Sequence, residues 1–237
     1  MTNKEQIMHH FENYGMAVFD DFLEQDTFDK VANFWSHESF KTDNHEEKNL
    51  YSTKWVGSTT RSGRENPILD AVLRGRIYEP IRFSFDKNDV HWPDKNEVYK
   101  CNVKLSKEVP KLPEINEIIK KNITPVIEFI LQRKANLISS HANIYEKNGD
   151  SYARAHRDGS NWGAAIGFIV YMNKTDWKYD WGGLLHYLKP PNNEIMTILP
   201  KSNRLVIINH GIDMSHWITP TNTWAKEDRK TLNGMFR

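Results

Sequence analysis

The sequence has a single cysteine, almost no net charge and no long hydrophobic run. Because Cys101 is the only cysteine, an intramolecular disulfide and a zinc site with several cysteine ligands are both excluded. The net charge of +1 creates no overall field that would attract nucleic acid or anionic lipid. No stretch approaches the ~20 apolar residues of a membrane span, and residues 1–15 lack the apolar segment of a signal peptide. We therefore expect a cytoplasmic protein with no membrane partner.

Aromatic residues and histidines are abundant. The chain has 8 Trp, 9 Tyr and 11 Phe, which can bury a large area per residue and indicate a folded rather than a disordered protein. Its 237 residues are enough for one substantial hydrophobic core. We interpret Cys101 as a small buried apolar residue rather than a nucleophile. The 10 histidines are then the first place to look for chemistry.

Helical patterns begin the chain. Residues 4–13 predict a short helix, and residues 15–23 predict a strand that enters a turn. Residues 24–35 predict a second helix because their apolar side chains recur at helical spacing. These side chains are Phe28, Val31, Ala32 and Trp35.

The middle of the chain is less regular. Residues 36–66 are polar and predict a long loop or lid with short strands. Residues 68–81 begin with a helical pattern. The longest helical pattern covers residues 112–134, and Pro125 is expected to break or kink it because proline lacks the backbone N–H.

Short runs of β type follow residue 135. They include "ANLISSHANIYE", "AAIGFIVYMN", "GLLHYLKP", "RLVIINHG" and "KTLNGMF", with turn sequences such as "DWGG" and "PPNN" between them. Strands of this length and spacing are typical of a sandwich or barrel. We predict a mainly β fold with flanking helices, in one domain over residues 1–237. Residues 1–134 would provide helical support and a lid, and residues 135–237 would form a jelly-roll core.

A His-x-Asp sequence at His156 and Asp158 is the first candidate for a metal site. Non-haem Fe(II) sites that activate oxygen use two histidines and one carboxylate, and side chains two apart on a strand point the same way. The pair alone is a weak signal, expected by chance on the order of once in two such chains. A rival pair, His45 and Glu47, lies in an all-polar stretch that we interpret as a solvated loop.

Three histidines are candidates for the remaining ligand. His216 opens a strand about sixty residues after His156, which leaves room for several strands of the same barrel. His186 alternates with leucines within a strand and is interpreted as a packed residue. His210 precedes Gly211 at a strand end and is interpreted as a turn residue. His216 is therefore preferred.

Four stretches in the second half carry a resemblance to a known family. They are "NIYEKNGDSYARAHRD" (Tyr145, Gly149, Tyr152, His156, Asp158), "IVYMNKTDWKYDWGGLLHYL" (Tyr171, Asn173, Gly182, Gly183), "NRLVIINHGIDMSHWITP" (Arg204, Leu205, His216) and "DRKTLNGMF" (Arg229, Thr231). In this order they resemble the Fe(II)/2-oxoglutarate-dependent oxygenase superfamily, specifically its prolyl 4-hydroxylase-like branch. Residues 15–31 are loosely similar to the family's opening strand and helix.

The resemblance implies a double-stranded β-helix (jelly roll) with N-terminal α-helices packed on one sheet. It implies that His156, Asp158 and His216 ligate Fe(II), with 2-oxoglutarate and O₂ as co-substrates. The carboxylate of Asp158 favours hydroxylation over halogenation. The protein would then hydroxylate an unactivated C–H of a prolyl residue or small molecule and release succinate and CO₂. No catalytic residue beyond the metal ligands is implied.

The far carboxylate of 2-oxoglutarate requires a cation, and the resemblance assigns it to Arg229. The spacing of Arg229 from His216 is longer than is usual in the family, so Lys226 is a rival. We prefer Arg229 because it starts an apolar strand and has a planar two-pronged donor. Tyr171 would add a hydrogen bond, and Tyr145 and Thr231 are weaker contacts.

The substrate is less defined by the sequence. Trp217, which follows a predicted ligand, Asn161, which follows the His-x-Asp pair, and Trp181 are candidate contacts. Residues 36–110 match nothing in the family and would carry the substrate choice as a lid.

Three alternatives remain. A nucleic-acid demethylase of the same chemistry fits the Asn-x-Tyr at Asn143 and Tyr145, but its two arginines would be Arg229 and Arg237, which are too far apart. A catalytically inactive jelly-roll binding module would have no reason to keep the whole residue set. A metal-dependent isomerase of the cupin type would more often supply three histidines and a glutamate. We therefore expect a small-molecule or peptide substrate rather than nucleic acid.

Overall fold

Eleven strands and four α-helices are described by a computed structural model that covers residues 3–36, 40–47, 99–156, 166–189, 194–210 and 215–237. The strands are β1 (Met16–Phe19), β2 (Lys41–Glu47), β3 (Tyr99–Ser106), β4 (Leu137–Tyr145), β5 (Tyr152–His156), β6 (Ile166–Tyr171), β7 (Leu185–Lys189), β8 (Glu194–Ile198), β9 (Leu205–Asn209), β10 (Ser215–Ile218) and β11 (Arg229–Phe236). The α-helices are α1 (Asn3–Tyr14), α2 (Gln25–Ala32), α3 (Pro113–Ile118) and α4 (Thr124–Leu131). Short 3₁₀ turns cover Asn33–Ser36, Val109–Lys111 and Tyr179–Trp181.

The strands form one curled antiparallel sheet in the order β1-β9-β6-β11-β4-β3-β5-β10-β7-β8, with β2 paired to β3. β3 pairs with β5 through Cys101 and Asn102, and with β4 from Lys104 to Ser106. It thereby joins the β1-β9-β6-β11-β4 layer to the β5-β10-β7-β8 layer. The two layers enclose a space between them, which is the arrangement of a jelly roll. The predicted jelly-roll fold is confirmed.

The helices pack against the outer face of the β1-β9-β6-β11-β4 layer. Phe28, Val31 and Trp35 contribute to one buried cluster with Ile123 and Ile127 of the second helical segment. The sheet side of this cluster consists of Ala142, Ile144, Phe168, Val170, Leu205, Ile207, Leu232 and Phe236. These strand residues alternate with residues of the inner face, as the period of two in a strand requires. The prediction that N-terminal helices pack on one sheet is confirmed.

Pro125 interrupts the long helical segment without ending it. The chain passes from α3 into a π-helical turn over Ile119–Ile123 and then into α4, where Pro125 occupies the first turn. Proline has no N–H to donate to a carbonyl of the preceding turn, and the interruption takes the form of this wider turn. The Thr124 hydroxyl donates to the carbonyl of Ile119 at 2.8 Å, which satisfies a carbonyl group of the wider turn.

Part of the middle segment differs from its prediction. Residues 41–47, which include the stretch interpreted as a solvated loop, form a strand in which His45 pairs with Cys101. The polar sequence has no strand pattern of its own, so its partner strand β3 determines its conformation. Residues 48–98, which contain the predicted helix over 68–81, lie outside the described residues. No helix among the described residues is long and apolar enough to span a membrane.

Candidate active site

A cavity of about 220 Å³ lies between the two layers of the jelly roll. Its walls are the inward-facing side chains of both layers, most of them apolar. The polar or ionisable residues of the lining are Cys101, His141, Asn143, Tyr145, His156, Tyr187, His210, His216 and Asn233. A mainly apolar cavity with a few convergent polar groups is typical of a small-ligand site.

Two predicted ligands meet on neighbouring strands. His156 of β5 pairs directly with His216 of β10, and their ring centroids lie 4.2 Å apart. The register of the two strands shifts at the next pair, in which Ala153 is the partner of Ile218. Arg154 and Ala155 of β5 thus oppose the single residue Trp217 of β10, which is a β-bulge. The bulge lets Ala153 and His156 both line the cavity despite their odd spacing.

A contact with the backbone determines which ring nitrogen of His156 donates a hydrogen bond. The Nδ1 atom lies 2.7 Å from the carbonyl oxygen of Arg154, and a carbonyl can only accept a hydrogen bond. Nδ1 is therefore the donor in this contact, and Nε2 is the ring nitrogen that would bind a metal ion. Metal-binding histidines are oriented by this kind of backbone contact. His216 is buried and stacks on Tyr187 with 5.1 Å between ring centroids.

Asp158 and Asn161 lie outside the described residues, so the structure positions two of the three predicted ligands. Within the described ranges, no group of three histidine, cysteine or acidic side chains is placed to hold a metal. The two histidine rings alone can supply two neutral nitrogen ligands on one side of an ion. Such a pair suits a site completed by a carboxylate.

Arg229, at the start of β11, is completely buried. Its guanidinium carbon lies 4.7 Å from the centroid of the Tyr145 ring and 5.1 Å from that of Tyr171. One amino group donates a long hydrogen bond of 3.4 Å to the Tyr171 hydroxyl. The Nε and the other amino group have no hydrogen-bond partner among the described residues. A buried guanidinium in this state fits a ligand carboxylate, which it can bind with two parallel hydrogen bonds.

The surroundings of Arg229 are equally enclosed. Burial raises the pKa of Tyr171, while the charge of Arg229 acts in the opposite direction, so the phenol stays protonated and can donate to an anion. The hydroxyl of Thr231 is also buried without a partner in the described part of the chain. Gly183, at φ +63°, lets its backbone approach Arg229, because a Cβ there would lie 2.9 Å from Arg229 Cδ. Lys226, the rival cation, is exposed.

The two rival histidines have different positions. His186 is buried, stacks on Trp217 with 5.1 Å between centroids, and places Nδ1 2.9 Å from the Thr197 hydroxyl. Burial lowers its pKa to about 4, so the ring is neutral. The prediction of a packed residue agrees with this. His210 follows β9 in a turn, but its ring also lines the cavity, against Gly167 and 6.0 Å from the His216 ring. The turn prediction missed that second feature.

Neither tryptophan predicted to contact substrate is among the described residues that line the cavity. Trp217 alternates with His216 on β10, so its ring lies on the opposite face, against His186. Trp181 is buried against Trp177, with 5.4 Å between ring centroids. Both side chains pack within the protein, and the structure gives their proposed substrate contact no support.

Sequence reasoning missed several polar residues of the inner face. His141 and Asn143 precede Tyr145 at alternate positions of β4, and Asn233 follows Thr231 on β11. The signal was present, because in both strands polar residues alternate with the small or apolar residues of the helix-facing side. Alternation of this kind normally marks solvent exposure, so only the helices on the other face identify the polar side as internal.

Comparison with known proteins agrees with this geometry. Residues 140–237 match the model of the 2OG-Fe(II) oxygenase superfamily. No curated protein matches the chain in sequence. Among solved structures, a Pseudomonas putida prolyl-4-hydroxylase is similar with a TM-score of 0.57 and 14% identity, over 100% of this chain and 99% of that one.

Two further structures share the fold at low identity. A prolyl hydroxylase from Trichoplax adhaerens, in complex with a hypoxia inducible factor oxygen degradation domain peptide, has a TM-score of 0.62 and 14% identity over 98% of this chain and 88% of its own. The non-heme alpha ketoglutarate dependent epimerase SnoN from nogalamycin biosynthesis has a TM-score of 0.58 and 10% identity over 99% and 82%. The range similar to the 2OG-Fe(II) oxygenase superfamily, residues 140–237, thus contains both positioned histidines and Arg229.

Proposed function

We propose that the protein is a non-haem Fe(II)/2-oxoglutarate-dependent dioxygenase that hydroxylates an unactivated C–H bond, with release of succinate and CO₂. The observation that carries this proposal is the buried guanidinium of Arg229, which has two nitrogens without partners in the described residues. Its inward-facing strand also borders the cavity that holds His156 and His216. A cation held in this state at a cost in stability indicates an anionic ligand.

His156 and His216 would hold the iron together with Asp158. When bound, iron and 2-oxoglutarate would supply the activation of O₂. The hydrogen bond from His156 Nδ1 to Arg154 keeps the ring in the tautomer that a metal requires. The stacking of Tyr187 on His216 restricts the second ring in the same way.

Arg229, Tyr171 and Thr231 would hold the far carboxylate of 2-oxoglutarate. The guanidinium offers a planar pair of donors, and the protonated Tyr171 hydroxyl offers another. Because these groups are fully buried, their attraction to a carboxylate is little screened by water. Tyr145 packs on the guanidinium and keeps it in place. The apolar walls of the cavity would exclude water from the reacting groups.

The substrate class stays open between a prolyl residue and a small molecule, because the similar structures include prolyl hydroxylases and the SnoN epimerase. Arg237 is exposed beyond the far end of β11 from Arg229, which supports these classes over nucleic acid.

We also propose that residues 1–237 form one domain. The pairing of β1, β2 and β3 with strands of the second half supports this.

Iron titration in the presence of 2-oxoglutarate, with succinate release as the readout, tests the function. The parent protein should bind one Fe(II) and form succinate, most strongly with a productive substrate. His156→Ala should lose iron binding. The matched control is His186→Ala, which removes a different histidine from the same layer and should keep iron binding. Absence of succinate under all conditions, or equal iron binding in His156→Ala, would contradict the proposal.

A further inference from the structure

The inner face of β4 and β11 carries polar side chains at two successive levels. Thr231 pairs with Asn143 at the first level, and Asn233 pairs with His141 at the second. Directly opposed residues of an antiparallel pair have side chains within reach of each other. Asn143, Asn233 and His141 all line the cavity, whose remaining surface is mainly apolar.

Both asparagines have an unsatisfied oxygen. The Oδ1 atoms of Asn143 and Asn233 are buried and have no hydrogen-bond partner among the described residues. Leaving such an acceptor without a donor costs about 1–3 kcal/mol. Two of them side by side on the wall of a cavity indicate that a bound molecule supplies the donors.

The first level is within reach of 2-oxoglutarate. Strands rise about 3.4 Å per residue, so Thr231 lies ~7 Å and Asn233 ~14 Å along β11 from Arg229. The five-carbon chain of 2-oxoglutarate has four C–C bonds of about 1.5 Å and spans at most ~6 Å. A molecule anchored at Arg229 can therefore reach Thr231 and Asn143, but it leaves the second level to another ligand.

His210 lies beside the next inward-facing position of β11 after the second level. Met235, two residues after Asn233, pairs with Gly167, and the His210 ring packs on Gly167. The His210 ring is 6.0 Å from that of His216, so this region adjoins the histidine pair. A ligand group at Asn233 would thus lie on the cavity wall near the place where iron is expected.

We propose that Asn233, with His141 opposite it on β4 and His210 elsewhere on the same cavity wall, binds a hydroxyl or amino group of the substrate. The inference rests on the proposed function and sharpens its substrate class to a small polar molecule. An oxygen acceptor requires a hydrogen-bond donor, and a proline residue within a peptide has neither a backbone N–H nor a side-chain donor. An alcohol or amine provides one, and it can fit in a cavity of about 220 Å³.

The sole cysteine offers a binding assay that does not depend on turnover. Cys101 lines the same cavity, so a ligand there should slow its reaction with a small disulfide reagent. The protein is loaded with Fe(II) and 2-oxoglutarate under argon. The probes are cyclopentanol and cyclopentylamine, which can donate, and cyclopentanone and N-acetylproline dimethylamide, which can only accept. Cys101→Ser provides the unlabelled baseline.

We expect the concentration that halves the reaction rate of Cys101 to be at least tenfold lower for the alcohol or the amine than for the two acceptors. In Asn233→Leu this preference should fall to within twofold, and in Asn233→Asp, which keeps the acceptor oxygens, it should return. Thr231→Val, at the first level, should weaken 2-oxoglutarate binding and leave the preference intact.

Three results would overturn the inference: no protection by either donor, equal protection by donors and acceptors in the parent, or a preference that survives in Asn233→Leu. Failure of the proposed function gives a different result, because the parent would then bind no iron and form no succinate. If iron binds and succinate forms while the preference is absent, the oxygenase proposal stands and the substrate class is wrong.

Discussion

Arg229 combines two properties that a side chain seldom has together: complete burial and unpartnered donors. The order of motifs identified this arginine, because it follows His216 on the last strand. Its burial could not be predicted, since an arginine at a strand start is most often exposed. The burial of Asn233 could not be predicted either, because a polar residue at an alternating position of a strand suggests solvent exposure. Only the helices that cover the other face of β11 identify its side as internal.

Replacement of Arg229 by methionine should separate co-substrate binding from stability. We expect the dissociation constant of 2-oxoglutarate to rise at least 100-fold, because a buried carboxylate would lose its charged partner. The free energy of unfolding without ligand should change by less than about 1 kcal/mol, because lost contacts with the tyrosine rings are offset by removal of unpartnered N–H groups. Calorimetry and urea titration measure the two quantities.

Lys226→Met is the matched control, because Lys226 is exposed in the preceding loop. It should leave the dissociation constant unchanged. A larger loss of 2-oxoglutarate affinity in Lys226→Met than in Arg229→Met would transfer the carboxylate contact to the lysine.

His186 should make stability depend on pH. Burial lowers its pKa to about 4 in the folded state, against 6.5 in the unfolded chain. Between these values the unfolded state binds more protons, so the stability contribution is full above pH 6.5 and is lost as the pH falls toward 4. This difference between the two pKa values corresponds to roughly 3 kcal/mol in the free energy of unfolding.

Urea unfolding at several pH values between 4 and 7 measures this contribution. His186→Phe can retain the stacking on Trp217 but has no group that titrates, so its stability should fall less over the same range. Parallel pH profiles for the two proteins would show that another group is responsible.

At the scale of single elements, the long helical segment shows how far a local pattern reaches. Its periodicity and Pro125 predicted a helix with an interruption, and both are present. The interruption is a π-helical turn, in which the Ile119 carbonyl accepts a hydrogen bond from the Thr124 hydroxyl. This detail depends on individual hydrogen bonds rather than on the helix propensity of the residues. β2 is the opposite case, because its polar sequence gives no strand signal and only its pairing with β3 makes it one.

Thr124 should contribute to the stability of this segment through its hydroxyl. In Thr124→Val the carbonyl of Ile119 loses a donor at 2.8 Å while the side-chain shape is kept. We expect a loss of about 1 kcal/mol in the free energy of unfolding, measured by urea titration. Thr124→Ser retains the hydroxyl and should lose clearly less. No loss in Thr124→Val, or a larger loss in Thr124→Ser than in Thr124→Val, would contradict a stabilising role of the hydroxyl.

For the whole molecule, the two faces of the curled sheet have different roles, one in stability and the other in the candidate site. Its outer face packs against helices in the largest cluster, and its inner face carries the candidate site. The sequence predicted the jelly roll and the helices on one side, because strand runs and helical patterns occupy different halves of the chain. It predicted a strand over residues 15–23 and short strands within residues 36–66, but it did not predict which strands of the second half the first three strands join, because those pairings connect residues far apart in sequence.

Two adjacent residues of β11 should show this division. Leu232→Ala removes a fully buried side chain from the helix-facing cluster and should cost about 2–5 kcal/mol of unfolding free energy, with the 2-oxoglutarate dissociation constant nearly unchanged. Thr231→Val, one residue earlier and facing inward, should weaken 2-oxoglutarate binding and cost little stability. If both variants lose stability and affinity together, the two faces are not independent.

The pairing of Glu47 with Tyr99 has a consequence for engineering. Residues 48–98 therefore connect two backbone positions that are neighbours in the sheet. A short hairpin turn could join the same two residues. The β2–β3 ladder is therefore a natural splice point, where a segment from a protein of similar fold can be exchanged while Cys101, Val103 and Leu105 keep their places in the cavity wall.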